Sequence, residues 1–210
     1  MDKIFNTISV ESIQEPSNTI TNKYPKHALI VTEKLSDTST HYYIYITNEI
    51  VQDSVYLPIV DVLLSATEND VIDIFLQTVG GDVISSIAIL SAIARSKAKI
   101  TKIANGICAS CGAILLFESS DRPIVIRDWA RVMVHAPSQI LYGKTLQIRE
   151  TAEIVIRWVA NLYMRYVEKG LLTPEEYSQI MDKKLDVHLP VAVIRERIAK
   201  LNGGSKNELV

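Results

Sequence analysis

This sequence has no surplus of either charge: 22 Lys and Arg face 24 Asp and Glu, for a formal net charge of −2. That balance supplies no basic field for nucleic acid or for an anionic membrane surface, and neither is expected as a partner. Long apolar runs are missing as well. Stretches such as AILLF at 113–117 fall far short of the ~20 residues a bilayer-spanning helix needs. The N-terminal MDKIFNTISVESIQEPSN lacks the apolar core of a signal peptide, so the expected location is cytoplasmic. Cysteine is scarce. Cys108 and Cys111 are the only two, a poor disulfide framework that suits a reducing compartment. No second pair completes a zinc site. There is no low-complexity segment and no internal repeat beyond two strand–helix units. What is present, 210 residues of which 48% are hydrophobic, suits one domain with a sizeable core and a modest appendage.

The first forty residues are polar and turn-rich, with a strand candidate in HALIVTE (27–33) and a turn-forming SDTST (36–40). HYYIYIT (41–47) is aromatic and β-branched and predicts a strand. The 51–67 segment has helical spacing, with Pro58 marking a kink or irregular turn. VIDIFLQT (71–78) predicts a strand closed by Gly80 and Gly81, followed by a helix over 82–96 that Asp82 would cap. The same grammar repeats in a strand over 99–109 and a helix from Ser110. Short strands are predicted at 123–127 and 130–136. A long amphipathic helix of about seven turns then covers 144–169. Thr173-Pro-Glu-Glu opens a further helix, and a last one covers 190–201 before an NGGSKNELV tail. Strands alternating with helices predict the α/β class.

Four features carry chemistry. Ser110, between a strand and an apolar helix and flanked by Ala109, Gly112 and Ala113, occupies a turn that can expose its hydroxyl and aim backbone N–H groups at it. A capping serine is the plainer alternative. Gly80-Gly81 lets backbone approach a ligand and offer an N–H to an anion, although a tight turn would use the same residues. His135 ends a strand before Pro137. Asp186, in KKLDVHLP, could equally be a turn residue.

Together these resemble the proteolytic subunit of the Clp protease family, serine peptidases of the ClpP/crotonase fold. GICASCGA (106–113) is similar to the family's G-x-A-A-S-M-G-A, RVMVHAP (131–137) to R-V-M-I-H-Q-P, and QTVGGD (77–82) to its N-S-P-G-G turn. The Ser–His–Asp order and spacing also match, over roughly residues 41–189. The resemblance implies an α/β, ClpP/crotonase-like fold of repeated ββα units with a long protruding helix. It implies three regions: a partly ordered extension at 1–40, the peptidase domain at 41–189, and a C-terminal helix with a flexible tail at 190–210. Ser110 would be the nucleophile, His135 the general base and acid, and Asp186 the orienting carboxylate, with nearby Asp182 as the alternative. The backbone N–H groups of Gly81 and Cys111 would form the oxyanion hole, with no metal or cofactor required.

Cleavage of unfolded polypeptides to short peptides through an acyl-enzyme follows from the resemblance. So do homo-oligomeric heptameric rings stacked as a tetradecamer, and an unfoldase ATPase partner, since this chain carries no G-x-x-x-x-G-K-[ST] loop of its own. The chain departs from the family at Val79 for proline and Cys111 for methionine. SQILYGKT (138–145) stands for the glycine-rich segment that in the family pairs with substrate and helps join rings, and VIRERIAKLNGG (193–204) stands near the end. Other readings of the same residues are an inactive ring subunit, a viral capsid-maturation protease and a crotonase-like acyl-CoA enzyme. Cys108 and Cys111 are read as small buried thiols under the serine turn, against a weaker redox Cys-x-x-Cys.

Overall fold

The structure, a computed structural model, describes residues 6–8, 26–52, 54–118, 122–138 and 144–201. The rest of the N-terminal extension, residues 139–143 of the SQILYGKT segment and the expected flexible tail at 202–210 lie outside the described residues. The chain forms two compact units, Met1–Ala130 and Arg131–Val210, and its architecture is of the mixed α/β class expected.

The first unit is built on a sheet. β1 (Asn6–Ile8) pairs antiparallel with β2 (Ala28–Ser36), which pairs antiparallel with β3 (Ser39–Ile50) around the SDTST turn. From β3 onward the pairing is parallel, through β4 (Val71–Gly81), β5 (Lys99–Ala109) and β6 (Ile124–Ile126). Parallel pairing requires crossovers, and three helices supply them: α1 (Leu57–Ser65), α2 (Val83–Arg95) and α3 (Cys111–Phe117).

Side-chain alternation puts Ile72, Ile74, Leu76 and Thr78 of β4 in one buried register. With Ile30, Ile44 and Ile46 of β2 and β3, and Ile59, Leu63, Ile89 and Ile93 of α1 and α2, they make the core. Each such isoleucine or leucine contributes about 1.5–3 kcal/mol when fully buried.

Local chemistry sets the helix ends. Pro58 lies in the first turn of α1 instead of kinking a longer helix; there its missing N–H would have had no intrahelical partner anyway. The Asp82 carboxylate accepts from Ser85 N at 2.7 Å and caps α2. Past the far end of α2, the Arg122 guanidinium donates to the carbonyls of Ser96 (2.9 Å) and Ala98 (3.0 Å). All seven residues of α3 are buried. The fully buried Lys102 donates its Nζ to the Glu118 carbonyl at the end of α3, a cation at the negative helix terminus.

The second unit contains β7 (Arg131–Val134), α4 (Thr145–Glu168), α5 (Pro174–Met181), β8 (Val187–Leu189) and α6 (Val191–Leu201). α4 buries Val159, Leu162, Tyr163 and Tyr166 at helical spacing. Thr173 and Glu176 form a reciprocal capping box at α5, with bonds of 3.1 and 2.8 Å. The Arg197 fork on α6 grips the Glu176 carboxylate at 2.7 and 3.1 Å. The short strand β8, not predicted from the sequence, runs antiparallel to β7. Among the described residues no helix is long and apolar enough to cross a membrane.

Candidate active site

The serine turn joins β5 to α3. Ser110 has φ 54° and ψ −122° and makes no capping hydrogen bond to the helix it precedes. A positive φ on a residue with a Cβ costs about 1–3 kcal/mol, and a capping serine would have had no need of it. Conversely, a β-region backbone and a side-chain bond to the first turn are what a cap requires, and both are absent. The hydroxyl sits beside the Cys111 thiol at a half-buried position.

The glycines of β4 close on this turn. Gly80, at φ +93°, has no room for a side chain: a methyl group there would lie 2.5 Å from Ser110 Cβ and 2.9 Å from Cys111 N. Gly81, at φ +140°, is pressed against the Ile50 carbonyl of β3. The Cys111 thiol donates to the Gly81 carbonyl at 3.2 Å. The two residues assigned to the oxyanion hole are therefore joined directly.

Neither cysteine is built for thiolate chemistry. Burial pushes the Cys108 thiol up to about 12. Burial raises Cys111 too, against an opposing hydrogen bond with Ser86. A nucleophilic thiol needs the reverse shift. Among the described residues no three His, Cys, Asp or Glu side chains gather as metal ligands would.

His135 and Asp186 lie in the second unit. Val134 of β7 faces Val187 of β8, so the next step of that ladder brings His135 opposite Asp186. Their Nδ1 and Oδ1 are 3.8 Å apart, an ion-pair separation longer than a hydrogen bond, and Asp186 is 58% exposed. Asp182 is occupied elsewhere, accepting from the Ser178 hydroxyl at 2.8 Å at the end of α5. The buried Tyr163 of α4 donates its hydroxyl to the His135 carbonyl at 3.0 Å and anchors the histidine's backbone. Thus one unit holds Ser110, Gly81 and Cys111, and the other holds His135 and Asp186.

Sequence reasoning missed two contributors. Tyr163 carries no local signal. Thr78 carries one, a polar residue in the inward register of an otherwise apolar strand: its hydroxyl donates to the Asn48 carbonyl and accepts from Gly80 N at 3.1 Å.

A family model described as Clp protease matches residues 26–188 of the chain. The ATP-dependent Clp protease proteolytic subunit of Citrus sinensis is 31% identical over 128 residues, which make up 60% of this chain. The chain spans 61% of that curated relative's length.

Proposed function

The chain belongs to the Clp protease family, and on that premise we propose that it is a self-compartmentalising serine endopeptidase that cuts unfolded polypeptides into short peptides. Ser110 attacks the scissile carbonyl, and His135 takes its proton and later delivers it to the leaving amine. Asp186 accepts the Nδ1–H of His135 and so selects the tautomer that presents Nε2 to the serine. The N–H groups of Gly81 and Cys111 receive the oxyanion. Water then hydrolyses the acyl-enzyme by the same proton path.

The observation that carries this reading is the backbone of Ser110. A residue with a Cβ is held at φ 54° between a strand and a fully buried helix, without the hydrogen bond that would make it a cap. Strain of that kind persists where a side chain must be presented to a reacting group. The cramped junction with Gly80 supports it, as does the His135–Asp186 pair. The peptidase works in the cytoplasm as stacked heptameric rings, with a Clp-type unfoldase ATPase delivering substrate.

A fluorophosphonate probe should label Ser110 in the assembled protein, and the native mass should be a multiple of seven subunits. Ser110→Ala should abolish both labelling and hydrolysis of a fluorogenic peptide while leaving thermal unfolding cooperative; triad losses remove orders of magnitude in kcat. Unchanged hydrolysis by the purified variant would overturn the assignment.

A further inference from the structure

We infer that Thr78 is a positioning residue: its side chain sets the Gly80–Gly81 segment at the distance from the Ser110 turn that oxyanion stabilisation requires. This deepens the serine-peptidase reading above and rests on it.

The inference starts from a register shift. β3 and β4 pair residue for residue up to Asn48 and Thr78, but the next partners are Glu49 and Gly80, so Val79 is an extra residue on β4. A bulge of this kind interrupts the ladder and redirects the strand, and bulges concentrate beside active sites. Asn48, the last residue paired before the interruption, has a positive φ of 58°.

Thr78 restores what the bulge removes. The residue is 1% exposed. The hydroxyl gives its proton to the Asn48 carbonyl and accepts from Gly80 N at 3.1 Å. It thereby stands in for a ladder bond on each side of the interruption. The methyl group has a second task. A side chain on Gly112, in the first turn of α3, would lie 2.6 Å from Thr78 Cγ2, so Thr78 and the nucleophile's helix are already in close contact. One side chain therefore touches β3, the Gly80 N–H and the first turn of α3.

The consequence for catalysis follows from the lack of slack. Gly80 stands so close to Ser110 and Cys111 that a single methyl group does not fit between them. A small shift of the bulge therefore moves the Gly81 N–H relative to the nucleophile. Oxyanion donors act through placement, and about 1 Å of misplacement can cost ~100-fold in rate. The thiol of Cys111, which donates to the Gly81 carbonyl at 3.2 Å, is a second and weaker tie on the same segment.

The test compares Thr78→Val, which keeps the shape and removes the hydroxyl, with Thr78→Ser, which keeps the hydroxyl and removes the methyl. Peptide hydrolysis by the full-length assembled protein would be read as kcat and KM separately. Inhibition by a peptide boronate, whose adduct places an anionic oxygen in the hole, would be set against binding of the corresponding product peptide, which does not. Thr78→Val should lower kcat by about 30- to 100-fold and weaken the boronate in parallel, with KM and product affinity within about twofold. Thr78→Ser should recover kcat to within about threefold of wild type. Wild-type kcat and boronate affinity in Thr78→Val would overturn the inference, and so would a Thr78→Ser variant as impaired as Thr78→Val. A wild-type protein that neither hydrolyses peptides nor labels at Ser110 would instead sink the serine-peptidase reading, and this inference with it.

Discussion

The serine turn and the His135–Asp186 pair are held in opposite ways. Around Ser110 the backbone is strained, the neighbouring glycine excludes a methyl group, and every residue of the following helix is buried. Around Asp186 the carboxylate is more than half exposed and stands 3.8 Å from its histidine. The histidine is fixed through its main chain, by Tyr163, and its ring has the looser partner. The proposed mechanism gives the difference a chemical reason. A nucleophile and oxyanion donors act on one atom whose position must not drift, and the turn at Ser110, backed by the buried Cys111 and α3, leaves little room for displacement. A general base is oriented by a hydrogen bond that can tighten when substrate excludes water. A surface carboxylate suffices for that.

The comparison breaks first at the carboxylate. Asp186→Asn should lower kcat by several decades, on the ~10⁴ scale of a triad histidine held in the wrong tautomer. Because Asp186 is exposed, the melting temperature should barely move. Asp182→Asn should change kcat by less than about tenfold, its carboxylate being committed to Ser178. Steady-state peptide hydrolysis on assembled variants decides between them, and the reverse ranking would make Asp182 the third member.

A matching substitution on the other side is Gly80→Ala. Its methyl group would collide with Ser110 Cβ and the Ala109 carbonyl at 2.5 and 2.7 Å. Overpacking together with a positive φ should cost about 2–4 kcal/mol, measured by urea denaturation, and remove most activity. Loss of activity without loss of stability would mean that the turn is less rigid than its contacts imply.

A second carboxylate sharpens the contrast between buried and exposed acids. Asp70, 6% exposed, accepts from Thr40 N (2.7 Å), Thr67 N (2.7 Å) and Thr67 Oγ1 (2.8 Å). Burial alone would raise its pKa, but these hydrogen bonds overcome it and hold the group below the ordinary carboxylate value. With the folded-state pKa depressed, its contribution to stability is complete above about pH 4 and is lost as the pH falls through the lower folded value. Asp70→Asn should therefore destabilise by about 1–3 kcal/mol at neutral pH and flatten the acid limb of a stability–pH curve. An unchanged limb would show that other carboxylates govern it.

The smallest effects belong to the cysteines. Neither thiol should react with iodoacetamide at pH 8 in the folded protein, given their burial and the raised pKa of both. Cys108→Ala with Cys111→Ser should keep kcat within about tenfold, since a serine hydroxyl can still donate toward Gly81 and the Cys111 N–H is untouched. Rapid alkylation, or complete loss of activity in the folded double variant, would revive a thiol role.

Much of the scaffold around these residues was legible because its causes are local. The strand Lys99–Ala109 is found with the predicted bounds. The Asp82 cap and the Thr173-Pro-Glu-Glu start were readable because each is closed by a partner three residues away. Of the two roles open to Pro58, a kink or an irregular turn, the kink is not found: a 3-10 turn at Ser54–Tyr56 leads into α1. Only the position of the first helical turn decides whether a proline kinks a helix or opens it. β8 was missed because three residues carry too little periodicity, and its strand character comes from pairing with β7.

The sequence by itself determined the α/β class, the serine at a strand–helix junction, and the order of serine, histidine and aspartate. The first two follow from periodicity and local turn chemistry along the chain, and the third was singled out by the resemblance of its motifs to those of the Clp protease family. Tertiary structure alone decided that Gly80 excludes a methyl group beside Ser110, that Asp186 stands opposite His135, that Cys111 reaches the Gly81 carbonyl and that Thr78 spans a bulge to Asn48. The reason is distance in sequence. The Cys111–Gly81 and Thr78–Asn48 bonds each join residues 30 positions apart, and no local preference encodes such a partner. It is chosen by the register of paired strands and by the crossovers that bring their ends together.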